Sequence, residues 1–102
     1  MNMLYSVICR LQRPAAEYPT LSGAIQAVGV ANWAVNECTW LVESDRTPDE
    51  IRDTLGRTIE ADDLALVLPV SVGRGRWTTL GQFKYGMGFL KGALMREQTP
   101  SR

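Results

Sequence analysis

Residues 33–55, WAVNECTWLVESDRTPDEIRDTL, constrain this chain more than any other segment. They read as two short strands around one polar corner, followed by a helix with a complete start signal. Thr47 is placed to cap the helix, and Pro48 fits the first helical position, where a missing N–H costs nothing. Glu50, three residues after Thr47, completes a capping box. Asp49 and Glu50 also suit the positive end of the helix dipole. Ile51, Leu55 and Ile59 mark the buried stripe of that helix. On the returning strand, residues 38–42, the alternation places Cys38, Trp40 and Val42 on one face, assigned to the core.

The flanking segments extend this pattern. Residues 3–11, MLYSVICRL, form a first strand with Tyr5, Val7, Cys9 and Leu11 on one face. The opposite set, Leu4, Ser6, Ile8 and Arg10, is still largely apolar, so both faces are expected to be at least partly covered. Pro19 is expected in the first turn of a helix whose buried face is Leu21, Ala24, Ile25 and Val28, with Gly29 as its C-cap. Residues 32–35 form a short strand, and Asn36 and Glu37 the corner. After the turn at Ala61, Asp62 and Asp63, residues 64–72 form the last strand, with Leu64, Leu66, Leu68, Val70 and Val72 on one face. Pro69 cannot donate to a ladder, which predicts an edge position.

Strand–helix–strand–strand–helix–strand is the ferredoxin-like βαββαβ plan, an α+β fold with an antiparallel sheet. Residues 1–72 would form that core. Residues 73–97 would add a basic loop and an extension, and residues 98–102 a frayed tail. In the extension Leu80, Phe83, Met87, Leu90 and Leu94 recur at helical spacing. Gly81, Gly86, Gly88 and Gly92 weaken a helix there, and a strand over residues 83–90 is the alternative.

A chain of 102 residues with 45% hydrophobic side chains is expected to fold as one domain with a real core. No run approaches the roughly 18–20 apolar residues of a membrane helix. The first residues, MNMLYSVICRLQR, have neither a basic leader nor a small-residue cleavage site, so a cytoplasmic protein without a secretory signal is expected. There is no histidine, which excludes Ser-His, Cys-His and histidine–metal chemistry. Cys9 and Cys38 have no metal-ligand spacing, so no zinc site is expected in one chain. Reduced, buried thiols are the first reading of this pair. If the first and third strands are antiparallel neighbours, the two lie close together.

Net charge is zero but unevenly spread. Residues 37–63 carry nine acids against three arginines, and the chain from residue 64 onward carries six bases against Glu97 alone. The basic end leaves a local case for nucleic acid. Its centre is Gly73, Arg74, Gly75, Arg76 and Trp77, where two arginines on glycine backbone beside an indole suit phosphate and a stacked base. The same segment also reads as a solvated loop with Trp77 packed inward. It lacks the spacing of a P-loop. Glu43, Asp45, Asp49, Glu50 and Asp53 form an acidic surface suited to a protein partner. Capping accounts for Asp49 and Glu50 and solvation for Asp53, so no metal site or cofactor is assigned. Trp33 and Trp40 read as core or dimer interface, or as a stacking surface.

The first strand, Tyr18 and Pro19, Trp33, ECTWLV at residues 37–42, DEIR at 49–52 and Asp63 before LVLPV together resemble the SinR-type small proteins. Those are similar to the CRISPR-associated "Cas-two" ferredoxin-like family and to VapD-type toxins. The resemblance covers residues 3–72. It implies a homodimer built through sheet faces or edges, in a prokaryotic or phage defence or mobile-element setting. Nuclease members end the first strand with an aspartate that helps hold a divalent cation across the dimer. Here Arg10 stands in its place, and a guanidinium repels a metal and cannot act as a base. Arg10 then reads as a phosphate contact or an interface ion-pair partner, or else as a strand-end arginine bonded internally.

The expectation is a non-enzymatic, dimeric binding module. Nucleic acid would be met through Arg10, Arg13, Arg74, Arg76 and Trp77, or a protein through Glu43, Asp45, Asp49 and Asp53. The alternatives are an inhibitor of a nucleic-acid-processing complex and a degenerate, metal-independent endoribonuclease. No catalytic residue is assigned.

Overall fold

The computed structural model describes residues 2–71, 80 and 87–98. The fold is α+β. Strand β1 (Met3–Arg10) leads through a 3-10 turn (Ala15–Glu17) into helix α1 (Leu21–Val28). Strands β2 (Ala31–Asn36) and β3 (Thr39–Ser44) form a hairpin. Helix α2 (Pro48–Gly56), strand β4 (Leu64–Pro69) and helix α3 (Met87–Gln98) follow. The sheet order is β2-β3-β1-β4 and every pairing is antiparallel.

Strand alternation divides the sheet into two faces. On one, Tyr5, Val7, Cys9, Trp40 and Val42 meet Leu21, Ala24, Ile25 and Val28 of α1 and Ile51 and Leu55 of α2. Ala65 and Val67 pack against this cluster from β4. Each large side chain removed from water here contributes about 1.5–3 kcal/mol. On the other face α3 seats Ala93 on Leu4, with Leu41, Val70, Phe89 and Leu90 around them.

The capping box forms as the sequence predicts. Glu50 N–H donates to Thr47 Oγ1 at 3.2 Å, and Thr47 N–H donates to Glu50 Oε1 at 3.1 Å. Hydrogen bonds from the Thr47 backbone, then its side chain, hold the Glu50 carboxyl below its ordinary range. Tyr5 Oη donates to the Arg46 carbonyl at 3.1 Å, tying β1 to the approach to α2. Fully buried Ser44 donates to the Val28 carbonyl and accepts from Arg46 N–H, joining the end of α1 to the end of β3.

Some boundaries differ from the sequence expectation. Pro19 precedes the helix instead of occupying its first turn, because Ala15–Glu17 first closes a 3-10 turn. Buried Tyr18 then sets where α1 begins, and Leu21 N–H donates to its carbonyl at 3.1 Å. The hairpin corner falls at Glu37 and Cys38, where Asn36 Oδ1 accepts from Cys38 N–H at 2.9 Å. Ile59 lies beyond the end of α2, yet still packs on the core. The extension is helical over Met87–Gln98, not a strand; Phe83 and the tail beyond Gln98 lie outside the described residues.

Gly29 follows α1 as expected, but for a different reason. Its backbone is extended, at φ −113° and ψ 151°, so no left-handed cap is present. A Cβ there would lie 2.6 Å from Val42 Cγ1 and 3.2 Å from the Ala31 and Glu43 carbonyl oxygens. The residue is glycine because α1 turns into β2 directly against β3. Gly29→Ala is expected to destabilise the chain by about 1–3 kcal/mol, measured by urea denaturation, since Val42 is fully buried and has nowhere to move.

Pro69 lies on an edge strand, where it does no harm. Val70 N–H donates to the Leu4 carbonyl at 2.8 Å. Antiparallel alternation then turns the backbone groups of Leu64, Leu66 and Leu68 toward β1 and those of Ala65, Val67 and Pro69 outward. The N–H that proline lacks would have faced away from the sheet.

Candidate interaction surface

Strand β4 carries its large side chains on the face opposite α1 and α2. Leu64, Leu66 and Leu68 are 59%, 49% and 44% exposed, and Ile8 beside them on β1 is 40% exposed. The register sets Ile8 opposite Leu66, Ser6 opposite Leu68 and Arg10 opposite Leu64. Small Ala65 and Val67 take the inner positions because α2 packs over β4 on that side. The result is a contiguous apolar strip along the sheet edge, with a cation at one end. Scattered surface leucines are ordinary, but neighbouring ones on paired strands mark a docking surface.

The arginines singled out from the sequence occupy different settings. Arg10 is exposed at the end of β1, and its side chain forms no hydrogen bond or ion pair among the described residues. Arg13 is engaged within the chain. It pairs with Glu17 at 3.5 Å and with Glu60, and its guanidinium carbon lies 5.3 Å from the centre of the Tyr18 ring. Its hydrogen bond with Tyr18 and the Glu60 carboxylate hold it firmly protonated. Arg13, named with Arg10 as a nucleic-acid contact from the sequence, thus has acidic partners within the chain that Arg10 lacks among the described residues. Arg74, Arg76 and Trp77 lie outside the described residues.

The Arg13 cluster centres on Asp63, which sequence reasoning noted in a turn and in the resemblance but gave no role. Asp63 Oδ1 accepts from Gln12 N–H at 2.7 Å and from Tyr18 Oη at 3.0 Å, and Oδ2 accepts from Glu60 N–H at 2.7 Å. Burial pushes its carboxyl up, but these three hydrogen bonds and nearby Arg13 outweigh that and leave it below its ordinary value. Burial, and the hydrogen bond to Asp63, raise Tyr18. The carboxylate joins the end of β1, the approach to α1 and the α2–β4 connection. An Asp–Asp pair just before a strand was the one signal that could have indicated it.

The acidic set also divides. Glu43 is 8% exposed, within β3, so it is not part of an exposed acidic surface. It stands opposite Leu4 and Ala31 in the sheet. Asp45, Asp49 and Asp53 are exposed, but Arg52 lies 3.3 Å from Asp49 and 3.0 Å from Asp53. That arginine partly neutralises the α2 face. Among the described residues no group of three or more potential ligands is placed to hold a metal ion. Trp40 is buried in the core, and Trp33, opposite Leu41 on the second face, is half-buried.

No described helix is long and apolar enough to cross a membrane. Comparison with known proteins found no matching family model, no matching curated protein and no matching solved structure. The functional reading therefore rests on the geometry of the sheet face and its edge.

Proposed function

We propose that this chain is a non-enzymatic binding module of ferredoxin-like architecture that works as a homodimer through the β1–β4 face. The observation that carries this reading is the exposed strip of Ile8, Leu64, Leu66 and Leu68. The strand order β2-β3-β1-β4, with a helix after β1 and another after β3, supports the ferredoxin-like assignment. A second copy suits the strip because a two-fold axis near β4 sets the same leucines against each other. Pro69 faces outward and interrupts edge-to-edge strand pairing, which favours face packing over a continuous sheet.

Nucleic acid is the second reading. Arg10 is an exposed cation whose side chain has no hydrogen-bond or ion-pair partner among the described residues. In the SinR-type and Cas-two-like resemblance this is the position of the nuclease aspartate, and a guanidinium there is suited to phosphate, not to a metal. The acidic surface is the weaker candidate, since Glu43 is buried and Arg52 offsets Asp49 and Asp53.

Size-exclusion chromatography with light scattering, with and without short RNA and DNA at low and moderate salt, tests both readings. A dimer is expected. If Arg10 meets phosphate, nucleic acid increases the mass of the complex, less so as salt rises. A monomer at every concentration contradicts the dimer, and a dimer indifferent to nucleic acid contradicts the second reading. RNA cleavage in the same samples would revive the endoribonuclease alternative.

A further inference from the structure

The sheet brings two thiols together. The β1–β3 register reaches Ile8 opposite Thr39, and the next step sets Cys9 opposite Cys38. There Cys9 N–H donates to the Cys38 carbonyl at 2.8 Å. An antiparallel pair closed by both backbone bonds has Cα atoms about 5.5 Å apart; here one of the two is made, and Cys38 N–H donates to Asn36 Oδ1 instead. Disulfides span roughly 4.4–6.8 Å. Both side chains lie on the helix-covered face, Cys9 within the core cluster and Cys38 packed against it. Both are free thiols, and they differ in access: Cys9 is buried and Cys38 half-exposed. Asn36 Oδ1 holds the Cys38 backbone in the hairpin corner.

We propose that Cys9 and Cys38 are a reversible intrachain disulfide pair responsive to peroxides, with Cys38 oxidised first and Cys9 resolving it. In the first step Cys38 sulfur attacks a peroxide oxygen. With hydrogen peroxide the O–O bond breaks, Cys38 becomes a sulfenic acid and one water leaves. In the second step Cys9 sulfur attacks Cys38 sulfur. The S–O bond breaks, the S–S bond forms, and the Cys9 proton leaves with the hydroxyl as a second water. Two thiols are oxidised and one peroxide is reduced. Burial, together with Cys38 and Asp63, pushes the Cys9 thiol up to about 11. Cys9 therefore stays protonated and inert toward small oxidants until its neighbour is modified. The neutral bridge places no charge in the core. It closes a loop containing the 3-10 turn, α1 and β2, and ties the strand end that bears Arg10 to the hairpin corner. This inference does not depend on the docking reading.

The test is graded hydrogen peroxide treatment of the purified chain, then acid quenching, alkylation under denaturing conditions and intact-mass and peptide analysis. The expected product is a single chain lighter by two hydrogen atoms. Both thiols are lost from alkylation together, the Cys9 and Cys38 peptides are joined, and dithiothreitol restores both. In Cys9→Ala the expected product is a Cys38 sulfenic acid that dimedone traps. The inference is overturned if both thiols stay free, if Cys38 alone is oxidised in the wild-type chain, or if the only disulfide joins two chains through Cys38. Should Cys9→Ala fail to fold, the wild-type mass and peptide map decide alone.

Discussion

Asp63→Ala is expected to lower the thermal midpoint by about 10 °C at neutral pH, measured by circular dichroism, because three donors lose one acceptor. The Gln12 and Glu60 N–H groups and the Tyr18 hydroxyl all point at that carboxylate. No other side chain among the described residues accepts a hydrogen bond from any of them. Asp63→Asn is expected to be intermediate. One amide oxygen can still accept from Gln12 and Tyr18, but the amide nitrogen then faces Glu60 N–H, donor against donor. The pH dependence separates charge from packing. The folded-state value of Asp63 lies below its ordinary 3.8, so its contribution is fully present above that value and is lost as pH falls through the folded value. Both variants should therefore lack this part of the wild-type acid slope. An unchanged midpoint, or an unchanged acid slope, would show that the cluster does not hold the three segments together.

The double substitution Leu66→Asp, Leu68→Asp is expected to weaken self-association by more than roughly a hundredfold while leaving the fold intact. Both side chains are about half exposed in the single chain, so each carboxylate stays hydrated in the monomer. In a dimer packed through this face each would be driven into an apolar contact with its symmetry mate, and like charges would meet across the axis. The corresponding change on the other face, at Ala65 or Val67, would instead damage the core against which they pack. The pair of faces thus distinguishes lost association from lost folding. A double variant that melts like wild type but no longer associates is the expected phenotype.

The local parts of this structure were legible in the sequence, and the long-range parts were not. The start of α2 could be read because a capping box is complete within four residues. The inward faces of Cys38, Trp40 and Val42, and of Ile51 and Leu55, followed from simple periodicity. The edge position of Pro69 followed from its missing donor. The β4 stripe shows where periodicity stops: alternation separates Leu64, Leu66 and Leu68 from Ala65 and Val67 but does not say which set faces the helices. Close packing of α2 on β4 decided that, in favour of the small residues. Asp63 was obscure for a related reason. Its partners Tyr18 and Gln12 are 45 and 51 residues away, and only the folded sheet brings them together. Glu43 looked like one more acid in an acidic run, whereas its place within β3 buries it. The pairing of Arg13 with Glu60, 47 residues away, and its place over the Tyr18 ring were equally out of reach of local pattern.

The proposed dimer joins two copies of the chain through the β1–β4 face. Sedimentation equilibrium over a wide concentration range, run in parallel on the wild-type chain and the Leu66→Asp, Leu68→Asp variant, tests it most directly. The expected result is a wild-type dimer, and a variant that is monomeric throughout yet melts at the wild-type temperature. A wild-type monomer at all concentrations, or a variant that dimerises as well as wild type, would contradict it.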